Sequence, residues 1–127
     1  MKKTIIDLFE ASVWKYGAKT FLLEKRHRKF EPTTYAEARE QALEVGAGLA
    51  SMGIRPADKV AILAEGSNAW IISELGLFYA GAISVPLSVK LEESNDLLFR
   101  LRHAEVKAIF VSKHQLPKIR RIRAELP

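Results

Sequence analysis

Two pairs of glycines have a spacing that could bind phosphate. Gly76 and Gly81 are separated by four residues, as in a nucleotide phosphate loop, but the next two residues are alanine and isoleucine. A lysine and a hydroxyl residue are needed there to contact the β-phosphate and the magnesium ion. Gly46 and Gly48 resemble the start of a dinucleotide-binding turn, but they lie within a helical pattern whose backbone amides are already hydrogen bonded. We therefore predict that these glycines pack helices closely and bind no nucleotide.

The three histidines show no spacing that is typical of metal ligands. They are His27, His103 and His114, and no pair of carboxylates accompanies them at helical distance. We expect solvent-facing or helix-terminal positions for all three. His103 falls in the last turn of a predicted helix, where a protonated imidazole interacts favourably with the helix dipole. No metal site is predicted from them.

Nucleophiles and general acid–base pairs also lack a recognisable pattern. The chain contains no cysteine, which indicates a reducing compartment and a cytoplasmic protein, and no serine has the glycine neighbours of a nucleophile elbow. Glu92, Glu93 and Asp96 lie at a predicted helix start, where negative charge is stabilising, so a structural role outweighs catalysis. No residue is therefore assigned a catalytic, cofactor-binding or metal-binding role.

Positive charge is concentrated in two short segments. The chain has 20 Lys and Arg and 15 Asp and Glu, a net charge of +5, and residues 24–31 and 113–127 carry most of the excess. The basic side chains of the helix predicted in the second segment are Lys118, Arg120, Arg121 and Arg123. Such a face could bind phosphate or an anionic surface, although an ordinary solvated face is the favoured interpretation. Phe30 is the only aromatic residue in either segment, so nucleic-acid binding is not expected.

Helical and strand patterns alternate along the chain and must position all of these residues. Thr4 with Asp7, and Thr34 with Glu37, have the spacing of capping boxes. The patterns predict helices over 5–16, 35–52, 68–80, 92–104 and 114–126, and strands over 20–24, 30–34, 59–64, 83–86 and 107–111. Alternating strands and helices predict an α/β fold, with a mostly parallel sheet flanked by helices and a small N-terminal hairpin. One domain over residues 1–127 is expected.

Residues 69–89 contain a single charged side chain, Glu74, and are long enough to cross a bilayer. Gly81 and Pro86 divide the segment into a helix and a strand, so we predict buried core and no stable membrane insertion. The helix over 68–80 is apolar on nearly every side and needs neighbours all round. An uncovered apolar face, shared with further polypeptide or with a second copy in a homo-oligomer, is therefore expected.

Four segments, in a fixed order, resemble the adenylate-forming acyl-CoA synthetases, and most closely the bacterial long-chain fatty acid CoA ligases. The segments are Asp7–Ala11 through Thr20; Thr34–Glu37 with Ala47–Leu49 and Met52–Ile54; Asp58–Leu63; and Tyr79–Leu87. The resemblance implies a parent enzyme that uses ATP and magnesium to convert a fatty acid into an acyl-adenylate. Transfer of the acyl group to coenzyme A follows.

In this family the phosphate loop, the acidic residues that hold ribose and the lysine of the small C-terminal domain come later in the sequence. The resemblance therefore implies an N-terminal part of the large domain, inactive alone, whose partner is the remainder of the polypeptide. Leu126 and Pro127 end a predicted helix with nothing to close the sheet, as expected of such a part. Two alternatives remain open: a stand-alone α/β binding module with a basic C-terminal helix, and a fragment of a ligase for aryl or amino acids.

Overall fold

A computed structural model describes residues 4–92 and 94–126. The helices are α1 Ile5–Tyr16, α2 Tyr35–Ser51, α3 Asn68–Tyr79, α4 Ser94–Ala104 and α5 Leu116–Ile122, followed by a short 3-10 helix, Arg123–Glu125. The strands are β1 Thr20–Arg26, β2 Lys29–Thr34, β3 Lys59–Leu63, β4 Ile83–Pro86 and β5 Ala108–Val111. Both predicted capping boxes are formed, at Thr4 with Asp7 and at Thr34 with Glu37. The α/β prediction is confirmed.

Strand β3 is the centre of a three-stranded parallel sheet, in the order β4-β3-β5. Val60 to Leu63 have no exposed surface, because helices cover both faces of the sheet. On one face Val60 and Ile62 pack in a cluster with side chains of α2 and α3, including Leu77. On the other face Ala61 and Leu63 pack with leucines and isoleucines of α4 and α5. Strands β1 and β2 form a separate antiparallel hairpin.

The helices α2 and α3 approach closely at two glycines. A Cβ atom at Gly46 would lie 2.9 Å from the Gly76 carbonyl oxygen, and one at Gly76 would lie 2.4 Å from Val45 Cγ1. The predicted packing role is therefore correct for Gly46 and Gly76. It is wrong for Gly48, where a Cβ atom would have no neighbour within 4 Å, because this side of α2 faces solvent.

Several predicted boundaries differ from the structure. The hairpin turn contains two residues, His27 and Arg28, and not the five residues 25–29, since the strands pair as far as Arg26 and Lys29. Helix α5 begins at Leu116 and not at 114, because Ser112–Gln115 form a turn and a proline occupies the first helical turn. Helix α4 begins at Ser94 and not at 92, and Glu93 lies outside the described residues.

Helix α3 does not carry the uncovered apolar face that its composition suggests. Ile72, Leu75 and Leu77 are buried, and its other large apolar side chains are half-buried, because α3 lies between α2, the sheet and the hairpin. Among the described residues, the large apolar side chains that are exposed are Ile5, Leu8, Trp14, Tyr16, Leu23, Phe30, Met52, Ile83 and Phe99. Met52, the last residue of the predicted helix over 35–52, instead follows the last helical residue, Ser51. Within the described ranges, no helix is long and apolar enough to span a membrane.

Candidate functional site

The carboxyl ends of β3 and β5 form the edge of the sheet where a ligand site is expected. After β3 the chain enters α3 on one face of the sheet, and after β5 it enters α5 on the opposite face. Where neighbouring parallel strands connect to opposite faces, a crevice opens between the two loops, and ligands of open α/β sheets bind there. The residues directly following Leu63 and Val111 are therefore the first candidates.

Three polar side chains meet at this edge. Glu65 Oε2 accepts hydrogen bonds from Gln115 Nε2 at 2.7 Å and from Ser112 Oγ at 3.3 Å. The bond from Gln115, and then the bond from Ser112, lower the pKa of Glu65 below its ordinary value. The carboxylate is thus ionised at neutral pH. Gln115 Oε1 is buried and accepts no hydrogen bond from the residues that the structure describes.

A cleft of about 240 Å³ opens beside Glu65. Its walls include Ser67 and Trp70 of the α3 start, Phe110 of β5, and Ser112. This volume is below the roughly 300–1,000 Å³ of complete small-molecule sites, so the cleft suits one part of a ligand. The Glu65 carboxylate at its rim can accept a hydrogen bond from a ligand or bind a cation. Ser67 Oγ already accepts from the Trp70 amide at 3.2 Å and caps α3, and no hydrogen bond joins it to Glu65. We therefore assign Ser67 a capping role and not that of a nucleophile.

A second polar cluster joins α1, α2 and α3. Glu10 Oε1 accepts from Arg39 Nε at 2.6 Å and from the Tyr79 hydroxyl. The bond from Tyr79, followed by the effects of Arg39, lowers the pKa of Glu10, although partial burial opposes them. Burial, and then the Glu10 carboxylate, raises the pKa of Tyr79 well above its ordinary value. These groups hold three helices together, so we interpret them as structural.

The three histidines lie in different elements. His27 occupies the hairpin turn, and His114 lies in the turn before α5. His103 is in the last turn of α4, as predicted, with its ring stacked on Phe99 at a centroid distance of 5.4 Å. Among the described residues, no group of three or more His, Asp and Glu could hold a metal ion.

The basic face of the last helix is smaller than predicted. Lys118 Nζ donates to the Val89 carbonyl oxygen at 2.8 Å and lies 3.7 Å from Glu92 Oε1, and its side chain is only 11% exposed. Lys118 therefore joins α5 to the segment before α4 and does not face solvent. Arg120, Arg121 and Arg123 are exposed, so three arginines form this face.

The segment between Gly76 and Gly81 does not fit a nucleotide phosphate. The Gly81 amide donates to the Phe78 carbonyl oxygen at 2.9 Å, and a Cβ atom at Gly81 would lie 3.2 Å from Pro56 Cβ. A phosphate loop needs free amides around an open space. The segment from Gly76 to Gly81 therefore does not form a phosphate loop.

The polar group at the sheet edge was missed from sequence alone. Glu65 and Ser112 each follow a predicted strand within two residues, and Gln115 comes three residues later. The available signal was therefore a polar residue after each of two neighbouring parallel strands. It gives no indication that Gln115 reaches across to Glu65.

Comparison with known proteins finds similarity to enzymes that are much longer than this chain. The sequence model of the AMP-binding enzyme family matches residues 9–127. The chain is 29% identical, over 109 residues, to a chloroplastic long-chain-fatty-acid–[acyl-carrier-protein] ligase, AEE15, of Arabidopsis thaliana; the match covers 86% of this chain and 15% of that protein. It is 27% identical, over 117 residues, to the long-chain-fatty-acid–CoA ligase ACSBG2 of Rattus norvegicus, covering 91% of this chain and 17% of that protein.

The fold matches solved structures of similar enzymes. The anthranilate CoA ligase AuaEII, crystallised with anthranoyl-AMP, superposes with a TM-score of 0.88 at 27% identity. That match covers 96% of this chain and 23% of the enzyme. The chain thus spans about one sixth of the two curated relatives and about a quarter of this structure.

Proposed function

The chain belongs to the AMP-binding enzyme family, and from this membership we propose that it is the N-terminal part of a long-chain fatty acid CoA ligase. The family match over residues 9–127 carries the proposal. The acyl class follows from the names of the relatives, since AEE15 and ACSBG2 are both long-chain fatty acid ligases. In this proposal the complete protein uses ATP and magnesium to activate a fatty acid, and then forms a thioester with coenzyme A.

In the same proposal, residues 1–127 are one structural unit of the large domain, and the remainder of the polypeptide is its partner. The unit supplies a folded wall and no catalytic residue. The carboxyl edge around Glu65 is the part best suited to border a substrate site, because it combines an ionised carboxylate, an unpartnered amide oxygen and an apolar cleft. We place the protein in the cytoplasm, on the absence of cysteine alone.

Pyrophosphate exchange into ATP tests the activity. The complete protein is expected to exchange pyrophosphate in the presence of palmitate, and the 127-residue chain alone is expected to show no exchange above a heat-treated control. Thioester formation is then measured with coenzyme A and, because AEE15 is named for a carrier-protein acceptor, with acyl-carrier protein. Exchange by the isolated chain, or none by the complete protein with any carboxylate, would overturn the proposal.

A ligase for aryl acids is the second candidate, because AuaEII superposes over 96% of the chain. Anthranilate and benzoate are therefore assayed beside palmitate in the same exchange reaction. Faster exchange with an aryl acid than with palmitate would replace the fatty acid by an aryl acid and leave the family unchanged.

A further inference from the structure

The hairpin presents an exposed apolar face on its outer side. Opposite residues of an antiparallel pair share a face, and Leu23 pairs with Pro32 while Lys25 pairs with Phe30. Leu23 is 60% exposed and Phe30 is 66% exposed. The neighbouring position, Leu22, packs against the cluster around Phe9, so it belongs to the inner face. The outer face is therefore apolar without covering any core residue.

Positive charge without an ion-pair partner lies at the tip of the hairpin, next to this face. Arg26 is paired with Glu24 at 2.9 Å and with Glu31 at 3.8 Å. Lys25, Arg28 and Lys29 are exposed, and none of them forms an ion pair with another residue in 4–92 or 94–126. Lys25 shares the face of Phe30, Arg28 is in the turn, and Lys29 lies at the tip on the side of its pair Arg26. The tip thus carries three unpaired cations within five consecutive residues.

The turn itself is built from unusual residues. His27 and Arg28 have φ values of +48° and +69°, the conformation of a two-residue hairpin turn that favours Asn-Gly. Side chains with a Cβ atom are strained in this region of φ. Histidine is among the residues that tolerate this region, whereas arginine at position 28 is less common there than asparagine or glycine.

We propose that the hairpin tip docks this protein on the surface of an anionic lipid bilayer. Leu23 and Phe30 enter the headgroup region, and Lys25, Arg28 and Lys29 contact lipid phosphates. An apolar face bordered by cations is the arrangement that interfacial membrane segments share. This inference is independent of the proposed enzyme activity.

The composition of the face favours lipid over nucleic acid. Proteins that bind single-stranded nucleic acid place several aromatic rings between their cations to stack on bases. The outer face here has one aromatic ring, Phe30, beside the aliphatic Leu23 and Pro32. Aliphatic groups gain little against a base but are favourably transferred to the acyl boundary of a bilayer.

Vesicle co-sedimentation of the complete protein is the test. Vesicles of phosphatidylcholine alone are compared with vesicles of phosphatidylcholine and phosphatidylserine. The protein is expected to bind the mixed vesicles and not the neutral ones. Each basic side chain near an anionic surface adds roughly fivefold in affinity, so the variant K25E/R28E/K29E should bind at least about a hundredfold more weakly.

The exposed arginines of α5 and of the 3-10 helix that follows it provide a matched control. The variant R120E/R121E/R123E has the same change of charge, and α5 lies across the parallel sheet from the helices that carry the hairpin. Because screening limits electrostatic attraction to about 10 Å, this variant should bind within roughly threefold of the unchanged protein. An equal loss in both variants would mean that net charge alone drives binding, and would overturn the docking site.

The apolar part has its own pair of variants. Phe30→Ser should lower binding roughly tenfold and remove the part that persists at high salt. Phe99→Ser, at a phenylalanine that is 64% exposed on α4, should leave binding unchanged. Circular dichroism checks that all variants fold, and K25Q/K29Q serves as a milder substitute for the triple reversal. Absence of binding to mixed vesicles, or unchanged binding of the hairpin variants, would overturn the proposal and indicate that other polypeptide covers this face.

Discussion

In β3, four consecutive residues from Val60 to Leu63 have no exposed surface, whereas in β1 exposed and half-buried residues are interspersed. Strand β3 has helices on both faces, whereas β1 packs one face on the helices and leaves the other face open. At these four positions of β3, burial restricts the sequence to apolar residues. In the hairpin, burial restricts only the inner face, and the outer face is free to serve another purpose.

The same contrast separates two kinds of polar group. The edge of the sheet holds Glu65 between Ser112 and Gln115, each placed by a strand end. The hairpin holds Lys25, Arg28 and Lys29 without partners among the described residues. At the sheet edge, two hydrogen bonds thus fix the position of one charge, whereas the hairpin presents several charges that no such bond holds. Accurate positioning suits a small ligand, and loose presentation suits an extended surface.

The largest expected effect compares one residue type in both regions. Leu63→Ala, at a side chain with no exposure, should lower the free energy of unfolding by about 3 kcal/mol through lost burial and a cavity. Leu23→Ala, at a side chain that is 60% exposed, should change it by less than about 0.5 kcal/mol. Urea unfolding measures both. Similar losses would mean that the hairpin face is covered and that the contrast is wrong.

The next largest effect is expected from two glycine substitutions that test the close packing of α2 against α3. Gly76→Ala forces a Cβ atom to within 2.4 Å of Val45 Cγ1 and 3.0 Å of the Ala42 carbonyl oxygen. We expect a loss of about 2 kcal/mol, the cost of overpacking less the helix propensity of alanine. Gly48→Ala, with open space around it, should stabilise by about 0.5–1 kcal/mol. Thermal unfolding distinguishes the signs, and destabilisation by both substitutions would contradict the packing shown.

Much of the fold was predictable because buried regions have strong sequence patterns. A continuous apolar run gave β3, and threonine with an acidic residue three positions later gave the starts of α1 and α2. Boundaries near turns were less predictable. Lys25 and Arg26 are consecutive charged residues, so the sequence favours a turn there. Cross-strand pairing with Phe30 and Lys29 instead extends both strands.

The polar site was only partly predictable, because its contacts join residues far apart in sequence. Glu65 and Gln115 are separated by 50 positions, and no local pattern specifies that they meet. The inward position of Lys118 was not predicted for the same reason, since it depends on a contact with a residue distant in sequence. Helical spacing placed it on a basic face, but contact with the Val89 carbonyl oxygen draws it inward.

The polar cluster that joins the first three helices should have a smaller effect. Glu10→Gln removes the charge that binds Arg39 and Tyr79, and because the cluster is partly solvated we expect a loss of about 1 kcal/mol at neutral pH. Folding lowers the pKa of Glu10. The contribution of this carboxylate to the free energy of unfolding is therefore fully present above its pKa in the unfolded chain, and it disappears as pH falls through its pKa in the folded protein. Unfolding at neutral and acidic pH should show the difference from the variant shrinking with acidity. A difference that is independent of pH would mean that packing, and not charge, holds the helices.

The smallest expected effect concerns the turn, where the exposed region departs most from ordinary sequence preferences. Arg28→Gly removes the strain of a Cβ atom at a φ of +69°, and the greater freedom of glycine in the unfolded chain offsets part of this gain. We expect a net stabilisation of about 0.5 kcal/mol by urea unfolding. Lys29→Gly, in the adjoining strand, is the control and should destabilise by up to about 1 kcal/mol, since glycine weakens a strand. If Arg28→Gly stabilises the fold and weakens vesicle binding, the arginine is kept for its charge against the preference of the turn. If it destabilises the fold, Arg28 has a structural role, and the contrast between the buried sheet and the free hairpin face no longer holds at this residue.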